Sequence, residues 1–171
     1  VGSEMCIRDS HGVMDLAPSL DHVGPLTRTA EDAGSVLAAI AGHDPADPTS
    51  LRAPVPGFDE APDINGLTLG FDERYASEDL SDDYAAVIKA QAERFEALGA
   101  RVIPVAMPAH LREYLTAWPV LCSAEAATAH RSTYPARAVD YGPWFRGWLE
   151  MGAAHSATDY ADANELRLAC N

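Results

Sequence analysis

The sequence predicts an α/β fold, and two observations carry that reading. Leu67, Leu69 and Phe71 alternate in "LTLGFDE", the mark of a strand buried on at least one face, and "RVIPVAMP" at 101–108 reads as a second strand. Between them about seventeen residues carry helical periodicity. Strand, helix and strand make a βαβ unit, which brings the two strands parallel through a right-handed crossover. A chain of 171 residues with 47% hydrophobic and 22% charged side chains is long enough to bury one core, so one domain or a piece of a larger one is expected.

Taken in order, the first ten residues, "VGSEMCIRDS", follow neither a helix nor a strand period. They resemble translated adapter remnants and are expected to be a non-native leader, with residues 11–171 a partial domain. A heavily punctuated stretch follows, "APSLDHVGPLTRTAEDA" at 17–33, with an extended run, a Gly-Pro break and a helix start. Thr29 reads as the N-cap of that helix, with Asp32 three residues on, Ala33, Val36, Leu37 and Ile40 at helix spacing, and Gly42 as its stop. Residues 43–66 are rich in proline and acidic side chains, and their Asp-Pro steps predict an irregular surface excursion. Ser81 reads as the N-cap of the crossover helix, Tyr84, Val87, Ile88, Phe95 and Leu98 as its buried stripe, and Gly99 as its end. After Pro108 the pattern is helical: Ala109 to His130 with a kink near Pro119, a segment around Trp144 to Met151, and Thr158 to Cys170.

Charge narrows the function classes. Twelve basic against twenty-six acidic residues give a net charge of −14, a field that repels phosphate backbones and anionic membrane surfaces. Neither nucleic acid nor a membrane is an expected direct partner. Cys6, Cys122 and Cys170 are odd in number and contain no Cys-x-x-Cys pair, which suits a reducing, cytoplasmic setting.

Residue spacing supplies no catalytic constellation. His11, His22, His43, His110, His130 and His155 never fall as His-x-His or His-x-x-x-His, so no metal site is expected. Glu78, Asp79, Asp82 and Asp83 flank a helix start, where the macrodipole favours carboxylates. Cys122 and His130 are eight residues apart on one predicted helix, about 12 Å along its axis, too far for a nucleophile and its base. None of Ser19, Ser35, Ser50, Ser77, Ser81, Ser123, Ser132 and Ser156 sits on the sharp Gly-rich turn that serine hydrolysis needs. Lys89 is the one lysine and lies off the predicted buried stripe, where it stays solvated and charged.

Residues 16–50, "LAPSLDHVGPLTRTAEDAGSVLAAIAGHDPADPTS", closely resemble a segment of the amidase signature family. The resemblance rests on Ser-Leu-Asp-His-x-Gly-Pro, then Arg-Thr-x-Glu-Asp-Ala, then Ala-Gly-x-Asp-Pro-x-Asp-Pro. It continues more loosely through "INGLTLGFDE", "LGARVIPVAMP" and "TDYADANELR". The resemblance implies part of a mixed-sheet α/β fold with helices on both faces. It further implies hydrolysis of carbon–nitrogen amide bonds through an acyl-enzyme on a Ser–Ser–Lys triad, with a small-molecule amide as substrate and no metal or organic cofactor. That triad lies in sequence before the Pro-Ser-Leu-Asp-His turn, so no catalytic residue of this chain matches a family motif, and a domain truncated at both ends is expected.

In the family the turn runs near the active-site cleft. Asp21 and His22 are therefore candidates to contact substrate or to brace the nucleophile loop. The alternative is that Asp21 is a turn former and His22 fills a niche. Other readings kept open are an amidotransferase A-type subunit, a non-catalytic scaffold, and a metal-assisted hydrolase using His22 and His43 with Asp44 or Asp47.

Overall fold

The computed structural model describes residues 12–47, 50–55, 57, 63–108 and 111–170. Cys6, His11 and His110 lie outside the described residues. Helix α1 spans Ala30–Ile40, strand β1 Thr68–Phe71, helix α2 Asp82–Ala97, strand β2 Arg101–Pro104 and helix α3 Leu111–Ala129. A 3-10 turn at Ala138–Asp140 precedes helices α4, Pro143–Ala154, and α5, Ala157–Ala169. The chain divides into two compact units, Glu60–Leu111 and the remainder, Val1–Asp59 with Arg112–Asn171.

The smaller unit is the βαβ motif. β1 and β2 pair in parallel with Thr68 opposite Arg101 and Phe71 opposite Pro104, and α2 is the crossover. Asp82 and Asp83 occupy the first turn of α2, where they face the exposed backbone N–H groups; the Ser81 side chain itself makes no capping hydrogen bond. The helix stops at Gly99 because the backbone there turns left-handed, with φ of +99°, and a Cβ would sit 2.9 Å from Asn65 Oδ1. Beyond the strands, one carboxylate joins their ends. Asp72 Oδ1 accepts from the Tyr75 amide at 3.0 Å and Oδ2 from the Met107 amide at 2.6 Å. These two backbone donors, Tyr75 first, hold the Asp72 carboxyl below its ordinary value.

The predicted stripe of α2 is a correction. Ile88 is half-buried, but Tyr84, Val87, Phe95 and Leu98 are exposed, at 63%, 60%, 40% and 55%. Two four-residue strands offer α2 too little sheet to cover a sixteen-residue apolar stripe.

The larger unit is helical. Thr29 caps α1, its hydroxyl accepting from the Asp32 amide at 3.1 Å, as the sequence predicts. Ala117 and Leu121 of α3 pack with Ala163 of α5, and Leu20, Val120, Tyr160 and Leu166 close around them. Pro119 lies inside α3. Helix α4 crosses α3 so closely that a Cβ on Gly152 would fall 1.8 Å from the Ser123 carbonyl oxygen. Ser156 starts α5 with a reciprocal capping box, its hydroxyl accepting from the Asp159 amide while Asp159 accepts from the Ser156 amide. The excursion after α1 is not wholly on the surface. Ser50 and Asp47 are buried, and the Ser50 hydroxyl ties Asp44 and Asp47 into a compact turn.

Candidate functional site

The punctuated stretch folds into a turn built around its own aspartate. Asp21 Oδ2 accepts from the Leu16 amide at 2.7 Å and the Ala17 amide at 2.9 Å, while the Leu20 and Asp21 amides both donate to the Ala17 carbonyl at 2.8 Å. This encloses Ala17, which is fully buried. His22 is exposed, and its Nδ1 lies 2.6 Å from the Leu20 carbonyl. A carbonyl only accepts, so Nδ1 carries the hydrogen of that bond.

Side chains of α3, of α5 and of the segment after α3 reach across more than a hundred positions to hold this turn. Glu125 accepts from the Ser19 amide at 2.8 Å through Oε2 and from the Ser19 hydroxyl through Oε1. Oε1 also accepts from the Tyr160 hydroxyl at 2.9 Å. Arg167 Nη1 donates to the Ser19 hydroxyl oxygen at 2.8 Å and Nη2 to Asn164 Oδ1 at 2.7 Å. Arginine can only donate, which leaves the Ser19 hydroxyl proton to Glu125. Burial first, then the bond to Glu125, raises the Tyr160 phenol. His130, also buried, donates from Nε2 to the Asp15 carbonyl at 3.0 Å, and its Nδ1 lies 3.0 Å from the Tyr141 hydroxyl. Tyr141 and Phe145 both meet that imidazole edge to face, with ring centroids 5.5 and 5.2 Å away.

Ser19, Glu125 and Tyr160 are among the residues that line an open groove of about 1020 Å³ in the larger unit. Small side chains such as Ala124, Ala127 and Ala153 line it too, as do Tyr134 and Glu150, joined at 2.7 Å hydroxyl to carboxylate. Its volume is that of a small-molecule pocket, and these polar groups are already joined to one another.

The remaining candidates stay apart. His43 Nδ1 lies 2.9 Å from the Ser50 hydroxyl. Lys89 pairs at 3.2 Å with Glu73 on the exposed surface of the βαβ unit. Cys122 is buried, and burial first, then the nearby Glu125 charge, pushes its thiol up, away from thiolate chemistry. Among the described residues, no three His, Cys, Asp or Glu side chains are grouped to hold a metal, and no helix is long and apolar enough to cross a membrane.

Sequence reasoning singled out Asp21 and His22 but set Ser19 aside and missed Glu125, Tyr160 and Arg167. The α5 residues left a readable signal: Tyr160, Asn164 and Arg167 fall four and three apart, one polar face of a helix. Glu125 left none, because a single carboxylate among alanines carries no period.

The sequence model of the Amidase family matches residues 9–168. An amidase from Pseudomonas putida is 34% identical over 158 residues, 91% of this chain and 34% of that protein. The A-type subunit of the glutamyl-tRNA(Gln) amidotransferase of Acidobacterium capsulatum is 39% identical over 119 residues, 68% of this chain and 25% of that protein. The chain thus spans about a quarter to a third of these relatives' length. Among solved structures, a crystal structure of an amidase superposes with a TM-score of 0.71 at 25% identity, over 95% of this chain and 35% of that one. The A-type subunit of the glutamyl-tRNA(Gln) amidotransferase of Thermotoga maritima superposes with a TM-score of 0.74 at 24% identity, over 97% and 36%, which shows the shared α/β fold. Matched over nearly its whole length, the chain belongs to the amidase signature family.

Proposed function

We propose that the chain is part of a cytoplasmic amidase that hydrolyses carbon–nitrogen bonds of small-molecule amides through an acyl-enzyme on a Ser–Ser–Lys triad. In this reading the triad is supplied by residues other than these 171, and the chain alone is inactive. The observation that carries it is the family match over residues 9–168; the Ser50–His43 contact lies in a turn where Ser50 is buried and its hydroxyl also meets the Asp44 and Asp47 carbonyls. Lys89 is in a surface ion pair, and Ser19 and Ser50, whose hydroxyls are fixed, serve as hydrogen-bond hubs. Asp21 and His22 then belong to the support of the reacting centre.

The test is ammonia release from a panel of aliphatic and aryl amides, run on residues 1–171 and on the whole reading frame that contains them. Turnover by the whole polypeptide only, lost on replacing its serine nucleophile, is the expected result. Turnover by residues 1–171 alone overturns the assignment of chemistry to other residues, and none in either overturns the amidase reading.

A second reading is an amidotransferase A-type subunit. Relatives that bear this name, such as that of Gloeobacter violaceus at 40% identity over 68% of this chain, favour it. Glutaminase activity that appears only with partner subunits distinguishes it from a free-standing amidase. A whole polypeptide without the serine nucleophile and lysine of the triad is instead the non-catalytic scaffold.

A further inference from the structure

The turn at 15–22 carries an arrangement that its own closure does not require. Asp21 and the Ala17 carbonyl already close it from within. Glu125 and Arg167 nonetheless converge on Ser19 from two different helices, and donor chemistry fixes the direction of each bond. Arg167 donates to the Ser19 hydroxyl oxygen, the hydroxyl donates to Glu125 Oε1, and the Ser19 amide donates to Oε2. Tyr160 donates to Oε1 as well. Glu125 therefore accepts three bonds through two oxygens, two of them from the same residue of the turn.

We propose that Glu125 is a positioning residue for amide hydrolysis. Resting on the amidase reading above, it sets where the Pro-Ser-Leu-Asp-His turn stands relative to α3 and α5, and so where the groups the turn supports stand relative to substrate. Charge-assisted acceptance through both oxygens fixes distance and orientation together, which a single neutral hydrogen bond does not. The Ser19 amide and hydroxyl are gripped at once, so the turn can neither rotate about nor slide along α3 without breaking both bonds. A displacement of about 1 Å at a reacting centre is enough to slow turnover by a factor of order one hundred.

Glu125→Gln tests this. It keeps the side chain's shape but removes the charge: with its oxygen on the Ser19 amide, its NH₂ must donate to the Ser19 and Tyr160 hydroxyls, so charge-assisted bonds become neutral ones and both hydroxyl protons are displaced. In the whole polypeptide, kcat falls about 10- to 100-fold while KM stays within about 3-fold, measured well below the unfolding midpoint. Ser19→Ala, an exposed position where folding is not at risk, removes only the hydroxyl and gives a smaller loss, with kcat down about 3- to 10-fold. In residues 1–171, Glu125→Gln speeds hydrogen exchange at the Ser19 amide more than at the Leu20 amide, whose acceptor is the Ala17 carbonyl. Unchanged kcat in Glu125→Gln, or equal acceleration of the two amides, overturns the inference alone. No turnover by the unsubstituted polypeptide overturns the amidase reading, and the exchange result then still decides whether Glu125 holds the turn.

Discussion

Helix α4 contains two glycines whose replacement by alanine has opposite consequences. At Gly147 no atom lies within 4 Å of a would-be Cβ, whereas at Gly152 that Cβ meets the Ser123 carbonyl oxygen at 1.8 Å and its carbon at 2.3 Å. Ordinary van der Waals contact is above about 3.4 Å, so Gly152→Ala forces α3 and α4 apart by more than about 1 Å, through backbone that cannot rotate aside as a side chain would. Dispersion between the two helices weakens as the gap opens, because a gap near 1 Å forfeits up to half of each well. We expect a cost of about 3 kcal/mol or more, a fall in midpoint of roughly 6–12 °C for a chain of this size. Gly147→Ala only restricts the unfolded chain and improves helix propensity, a gain of about 0.5–1 kcal/mol. Thermal and urea unfolding of both variants, followed by fluorescence of Trp118, Trp144 and Trp148, reads the difference directly. Equal shifts, or a Gly152→Ala variant within about 0.5 kcal/mol of the parent, would refute the close crossing.

Leu121→Ala removes a buried side chain between Ala117 and Ala163 and is expected to cost about 3–5 kcal/mol in urea unfolding, the range for well-enclosed leucines. The Asp72 and Asp159 carboxyls are both held low, by the Tyr75 and Met107 amides and by the Ser156 amide and hydroxyl respectively. A depressed folded-state value means the unfolded chain binds the proton first, so their contribution is complete above about pH 4 and disappears as pH falls through the folded values. Midpoints measured from about pH 6 to about pH 2 should show this fall, and Asp72→Asn should flatten it. Tyr84, Val87, Phe95 and Leu98 leave an apolar face on α2, and Leu115 and Trp118 leave another on α3, so residues 1–171 should bind a hydrophobic dye and self-associate. A monomer that ignores the dye would contradict that exposure.

The elements were legible where a local rule governs them. Thr29 caps α1 through its hydroxyl, Gly99 ends α2 because the backbone turns left-handed, and β1–α2–β2 follows from alternation, a helix and alternation again. Boundaries slipped where a short polar motif outranked the apolar period. The capping box at Ser156 starts α5 at Ala157, ahead of the first periodic residue. Burial was the least legible quantity. The apolar spacing on α2 is correct as a period, but a period says which residues share a face and not whether anything covers that face. The same limit hid Ser50, whose burial comes with hydrogen bonds to His43, Asp44 and Asp47 along a proline-rich loop rather than from any apolar pattern.

The turn was visible in the sequence as excess punctuation, and the structure explains what the punctuation does. Asp21 closes the turn on the Leu16 and Ala17 amides, so no role as base or ligand is needed to account for it. A turn so closed is rigid in itself yet unanchored, and anchoring needs groups from outside. Those groups are Glu125, His130 and Arg167, more than a hundred residues away in sequence. They attach at residues 15 and 19, on either side of the buried Ala17, which fixes both ends of the turn against helices that pack on one another through Ala117, Leu121 and Ala163. An arrangement of that kind transmits the position of a helical core to a short loop with few degrees of freedom left. Asp21 and His22 therefore stand on backbone whose position the helical core sets.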